Sequence, residues 1–199
     1  MQSHYTKLLR ATLTASLMLV AMAGAAVAGP LEDAVAASER HDYRTALRLF
    51  RLLAEQGNAI AQSALGYMHE TGEGVPQDYS EAAKWYRLAG EQGDALAQTR
   101  LGFMYEMGKG GSQNFAEAAK WLRLAAEQGR VAAQNSLGGL YVSGRGVPKD
   151  YVVAYMWFSL SAAQGDHDSA IQRDLVAKLM TPAQIAEAQK LAREWKPKP

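Results

Sequence analysis

Basic side chains recur along this chain at Arg48, Lys84 and Lys120, and again at Arg51, Arg87 and Arg123. Clustered lysine and arginine are what a phosphate or nucleic-acid surface needs. Here most of them carry a partner: Arg51 and Glu55, Arg87 and Glu91, and Arg123 and Glu127 are four residues apart, while Glu81 with Lys84 and Glu117 with Lys120 are three apart. Opposite charges at those spacings meet on one helix face. The expectation is a solvated, salt-paired outer face that does not bind nucleic acid. The glycine-rich runs Gly72-Glu73-Gly74-Val75-Pro76, Gly108-Lys109-Gly110-Gly111-Ser112 and Gly144-Arg145-Gly146-Val147-Pro148 are not phosphate cradles. None reads Gly-x-x-x-x-Gly-Lys-Ser/Thr and none follows a strand pattern.

Metal and acid–base chemistry fare no better. The chain has no cysteine, which excludes disulfides, thiolate zinc sites and cysteine nucleophiles. His41, His69 and His167 lie one per region, without a His-Glu-x-x-His pair. Asp166-His167-Asp168 is the one local cluster of metal-ligand type, but adjacent residues at a helix start point apart, so Asp166 is expected to be an N-cap. His69 shares its phase with Tyr105 and Tyr141 and is expected to pack. A penicillin-type serine hydrolase would need Ser-x-x-Lys and Lys-Thr-Gly, and neither occurs. No catalytic residue, cofactor or metal is therefore expected.

The elements that carry these residues form a repeat. Trp85, Trp121 and Trp157 are spaced by 36 residues, as are Gly57, Gly93, Gly129 and Gly165, Ala46, Ala82, Ala118 and Ala154, and Leu52, Leu88, Leu124 and Leu160. Self-similarity at such a period marks a stack of short supersecondary units. Within a unit, Asp78 stands where an N-cap belongs, Glu81 has capping-box spacing, and Ala82, Trp85, Tyr86, Leu88 and Ala89 make an apolar stripe stopped by Gly93. A second helix is expected over Asp94 to Met107, ended by Gly108. No strand pattern is found. Leu31 to His41 forms an N-terminal capping helix within residues 29–41, the repeats run over 42–165, and the phases decay afterwards: Asp174 stands where Gly102 and Gly138 predict glycine. Capping helices are expected over 166–195, the last begun by Thr181-Pro182-Ala183-Gln184, and residues 196–199 are expected to fray.

The motifs Ala61-Gln62-Ser63-Ala64-Leu65-Gly66-Tyr67-Met68, Ala97-Gln98 to Met104-Tyr105, and Ala133-Gln134 to Tyr141, each followed by Gly-x-Gly, carry a resemblance to the Sel-one-like repeat (SLR) family, relatives of the tetratricopeptide repeats. The resemblance implies an all-α, right-handed α-solenoid of stacked helix pairs. It also implies an adaptor role without catalysis, in which the Leu-Gly helices line a concave, ligand-facing wall. On that wall it places Ser63, Thr99 and Asn135 in one row, Tyr67, Phe103 and Gly139 in a second, and Glu70, Glu106 and Val142 in a third. Aromatic and carboxylate groups together suit an extended peptide with a basic and an apolar side chain.

Residues 1–28 have the layout of a secretory signal: Lys7 and Arg10, an uncharged run, then Ala26-Val27-Ala28. Cleavage after Ala28 is expected, leaving a soluble, periplasmic monomer that binds a protein or peptide partner. The alternatives are a peptidoglycan-interacting or cell-wall enzyme on the same scaffold, or a secreted host-contact factor. Lys7 and Arg10 leave with the signal, so the formal charge moves from +1 to −1.

Overall fold

A computed structural model describes residues 29–198; the expected signal segment lies outside them. Among the described residues there are ten helices and no strand. They are α1 (Pro30–Glu39), α2 (Tyr43–Glu55), α3 (Ala59–Thr71), α4 (Tyr79–Glu91), α5 (Ala95–Met107), α6 (Phe115–Glu127), α7 (Val131–Ser143), α8 (Tyr151–Ala163), α9 (His167–Ala177) and α10 (Pro182–Glu194). From α1 to α9 each helix packs on its sequence neighbour, and α10 packs back on α8. The result is the helical-repeat solenoid that the 36-residue period predicts.

Local chemistry fixes the ends. Asp42, Asn58, Asp78, Asp94, Asn114, Asp150 and Asp166 each accept a backbone N–H of the first turn of α2, α3, α4, α5, α6, α8 and α9. The reciprocal capping box forms at Thr181 and Gln184 but not at the two Glu positions with the same spacing. Glu81 reaches Lys84 at 2.8 Å, and Glu117 accepts from Trp121 Nε1 at 3.2 Å and pairs with Lys120 at 3.9 Å.

The stack holds together by close approach and by a polar ladder. Gly66, Gly102 and Gly138 are glycine because the next helix touches them: a Cβ would stand 2.6 Å from the Tyr86 ring, 2.6 Å from Leu122 and 2.7 Å from the Phe158 ring. Beside them run buried glutamines. Gln62, Gln98 and Gln134 donate to the carbonyls of Ala54, Gly90 and Ala126 in the preceding helix, at 3.1, 2.9 and 3.2 Å. Each also accepts from Gln92, Gln128 or Gln164 at the end of the following helix, at 2.7, 2.8 and 2.9 Å. A buried amide left unpaired costs about 1–3 kcal/mol, so each glutamine ties three successive helices into one register. At the C-terminal end the ladder gives way to a cluster in which Asn135 donates to Ser169 Oγ at 2.6 Å, and Ser169 Oγ lies 2.9 Å from Ser161 Oγ.

Two further expectations need correction. Leu88 is not part of the buried stripe: with Leu52 and Leu124 it is exposed, at 44, 49 and 39%, because Ala82, Tyr86, Ala89 and Gly90 form the inward face of α4. Arg87 and Arg123 do not close on Glu91 and Glu127. Each lies over a tyrosine of the next helix and donates to its hydroxyl, Arg87 to Tyr105 and Arg123 to Tyr141. The planar guanidinium gains a ring face and an acceptor together there, which an exposed ion pair does not offer. Near the C-terminus, Lys198 lies against the end of α6. Its N–H donates to the Glu127 carbonyl at 2.8 Å, its ammonium pairs with the Glu127 carboxylate at 2.9 Å, and Trp195 meets Trp157 edge-on.

Candidate functional site

The nine residues expected on the ligand-facing wall sit on α3, α5 and α7, and α3 also reaches α5 directly. The first row turns inward. Ser63 and Thr99 are 6% and 4% exposed. Ser63 lies near the Asp94 carboxylate, Asn135 donates to Asp166 at 3.3 Å, and Thr99 donates to the Ala95 carbonyl at 2.7 Å. Asp94 and Asp166 cap the next unit, so Ser63 and Asn135 key one unit to another. Thr99 has no such partner because Arg130 occupies the cap position and makes no side-chain cap.

The second row is half-buried. Tyr67 packs against the core around Tyr86, and Phe103 against the core around Leu122. Burial pushes the Tyr67 phenol above its ordinary range, so it is a neutral donor.

The third row separates two carboxylates of equal phase. Glu70 is fully engaged: Tyr86 donates to it at 2.7 Å and Arg100 stands 3.5 Å away. Burial first, then the charge of Glu70, pushes the Tyr86 phenol far up, so it stays a donor. Glu106 has neither partner. The position of Tyr86 is taken by Leu122 one unit on, and that of Arg100 by Ser136. Among the described residues its carboxylate makes no hydrogen bond or ion pair; only its main-chain carbonyl is used, by Gln113 at 2.7 Å. Burial raises the Glu106 carboxyl above its ordinary value, and the charge of Arg145 offsets this only in part. Phe103 stands one turn earlier on α5. Residue-type reasoning treats Glu70 and Glu106 alike; comparing the positions 36 residues after Tyr86 and Arg100 would have separated them.

Among the described residues no group of three His, Cys, Asp or Glu can hold a metal ion, and no helix is long and apolar enough to cross a membrane. Asp166 caps α9 and His167 is exposed on its first turn. His69 is half-buried, with Nδ1 unpartnered.

The Sel1 repeat family model matches residues 37–58, 59–94, 95–129 and 131–166. The chain belongs to the Sel1 repeat family. Its full Sel1 units are α3–α4, α5–α6 and α7–α8, half a unit out of step with a register begun at Asp42. A protective antigen of uropathogenic Escherichia coli strains displaying an SLR fold is 48% identical at a TM-score of 0.63, over 64% of this chain and 27% of its own. A Sel1 repeat protein from Oxalobacter formigenes is 37% identical at a TM-score of 0.68, over 71% of this chain and 58% of its own. This chain thus spans less than two thirds of either protein. None of the curated proteins matches the sequence. Sel1 repeats build helical scaffolds that typically mediate contacts between proteins, generally without catalysis.

Proposed function

We propose that this Sel1 repeat protein is an exported, non-enzymatic adaptor whose α3, α5 and α7 wall takes an extended peptide segment of a protein partner in the cell envelope. The observation that carries this reading is Glu106. A half-buried carboxylate without a partner is costly to the free protein, and a lysine or arginine from a ligand removes that cost. Phe103 and Tyr67 supply apolar surface for a neighbouring side chain. Glu70, already held by Tyr86 and Arg100, contributes shape rather than charge. Export rests on the layout of residues 1–28, and processing there leaves Gly29 first.

The test is selection of peptides from a random display library on the purified protein, followed by titration of the enriched sequences. Peptides pairing a basic with an apolar residue are expected. Glu106→Gln should weaken them at least tenfold, as should Tyr67→Ala with Phe103→Ala. Equal affinity for all variants overturns the reading, and so does sedimentation with purified sacculus accompanied by release of muropeptides. Mass spectrometry of the protein from a periplasmic extract should find a chain beginning at Gly29.

A further inference from the structure

The middle one of the three glycine-rich loops lacks a Val-Pro pair that the other two share. After Gly72 and Gly144 the chain continues to Val75-Pro76 and Val147-Pro148, and both valines pack against the cores of their units. The middle loop has Gly111-Ser112 instead, and a Cβ on Gly111 would meet nothing within 4 Å. The loop is otherwise seated as its neighbours are, with Gly110 against the Tyr79 carbonyl. A cavity of about 250 Å³ lies between α4, α5 and the loop. Ala83 gives it apolar surface, with Leu101 and Met104 beneath, only 1% and 2% exposed, and Lys84, Arg87 and Lys109 give it positive charge; no carboxylate is among its lining residues.

The cations are differently committed. Lys84 is held by Glu81 at 2.8 Å. Arg87 lies on Tyr105, and Lys109 lies over the Tyr79 ring at 5.0 Å; neither is in an ion pair among the described residues. Ser80, Ser112 and Tyr105 add hydroxyls to the same lining. The volume lies below the roughly 300–1,000 Å³ of sites for drug-sized ligands, so it suits one group of side-chain size. Successive α-helical residues are turned by about 100°. Leu101, Met104 and Tyr105 therefore face away from the side of α5 that carries Thr99, Phe103 and Glu106.

We propose that this cavity is a second binding site, for a small apolar group bearing one carboxylate. The apolar body takes the place that valine holds in the flanking units, and the carboxylate lies between Arg87 and Lys109, with the serine hydroxyls as further donors. Such a group is found both on free short-chain acids and at the carboxyl end of a peptide; the chemistry recognised is the same. The site is independent of the α3, α5 and α7 wall, so its failure leaves the adaptor reading standing.

The test is titration of the ¹⁵N-labelled protein with hexanoate and with N-acetyl-leucine, against hexan-1-ol and N-acetyl-leucinamide, which keep the apolar body and lack the charge. The amide signals of Gly110, Gly111 and Ser112 should shift and saturate with at least one of the two acids. The uncharged analogues should bind at least tenfold more weakly. Tighter binding of N-acetyl-leucine points to a chain terminus and tighter binding of hexanoate to a free acid. Replacing Gly111→Val and Ser112→Pro together, which brings in the Val-Pro pair of the flanking units, should abolish the shift of the Gly110 amide, the probe that this variant keeps, and Lys109→Gln should weaken binding severalfold. Saturable binding by neither acid, equal binding of the uncharged analogues, or an unchanged response in the Val-Pro variant overturns the proposal.

Discussion

The units α3–α4 and α5–α6 are laid on the same backbone plan, yet the first is closed and the second is open. In the first, Glu70 is met by Tyr86 and Arg100, and Val75 packs on its core. In the second, the equivalent Glu106 has no partner, and Gly111 stands beside a cavity. What both keep is what stacking needs: the inward alanines, the close-approach glycine and the glutamine ladder. What the second unit lacks are groups whose only task is to satisfy their own unit. A helical repeat can shed those locally, because its stability comes from interfaces with neighbours, and the shed positions are where a ligand can be met.

The comparison breaks most visibly at adjacent glycines. Gly110 has φ +77°, and a Cβ there would lie 2.4 Å from the Tyr79 carbonyl oxygen, whereas Gly111 has open space. Urea denaturation should show Gly110→Ala losing roughly 3 kcal/mol and Gly111→Ala changing by no more than about 0.5 kcal/mol. Comparable losses at the two positions would mean that the open loop is not open. Next in size, Tyr86→Phe removes the donor to Glu70 and should cost about 1–3 kcal/mol. A loss no larger than about 0.5 kcal/mol, the size expected of a substitution that breaks nothing, would show that Arg100 alone holds Glu70. The smallest effect is expected for Glu106→Gln. The folded protein holds this carboxyl above its ordinary value of 4.5, so the wild-type chain is at no disadvantage below pH 4.5 and loses stability as the pH rises through the raised value. The variant should therefore be more stable at pH 7, by less than about 1 kcal/mol because the carboxyl is partly wet. The gain should vanish below pH 4.5. A gain that persists in acid would assign it to packing.

Much of the architecture was open to reading from residue spacing. Alanine, glycine and tryptophan at a common phase report contacts made between neighbouring units, so one period gives helices, caps and stacking together. Long side chains with a choice of partners escaped that reading. Arg87 and Arg123 have a carboxylate four residues away, but the tyrosine of the next helix offers a ring and a hydroxyl at once. The contact of Lys198 with Glu127 spans 71 residues and leaves no trace in local spacing. Tyr67, Phe103, Glu70 and Glu106 are half-buried on α3 and α5, and their residue types do not say which is engaged. Whether a carboxylate there is free depends on positions 16 and 30 residues further along, on other helices. The inward turn of Ser63 and Asn135 depends likewise on the capping residue of the following unit.

The glutamine ladder bears on how such a chain changes length. Every rung presents the same donor to the helix before it and the same acceptor to the helix after it. A duplicated 36-residue segment inserted between two existing ones would find its amides answered on both sides, and the excision of one would leave matching ends to rejoin. Only the terminal serine cluster around Asn135, Ser161 and Ser169 lacks that interchangeability, so growth and shrinkage by whole modules is confined to the interior of the array.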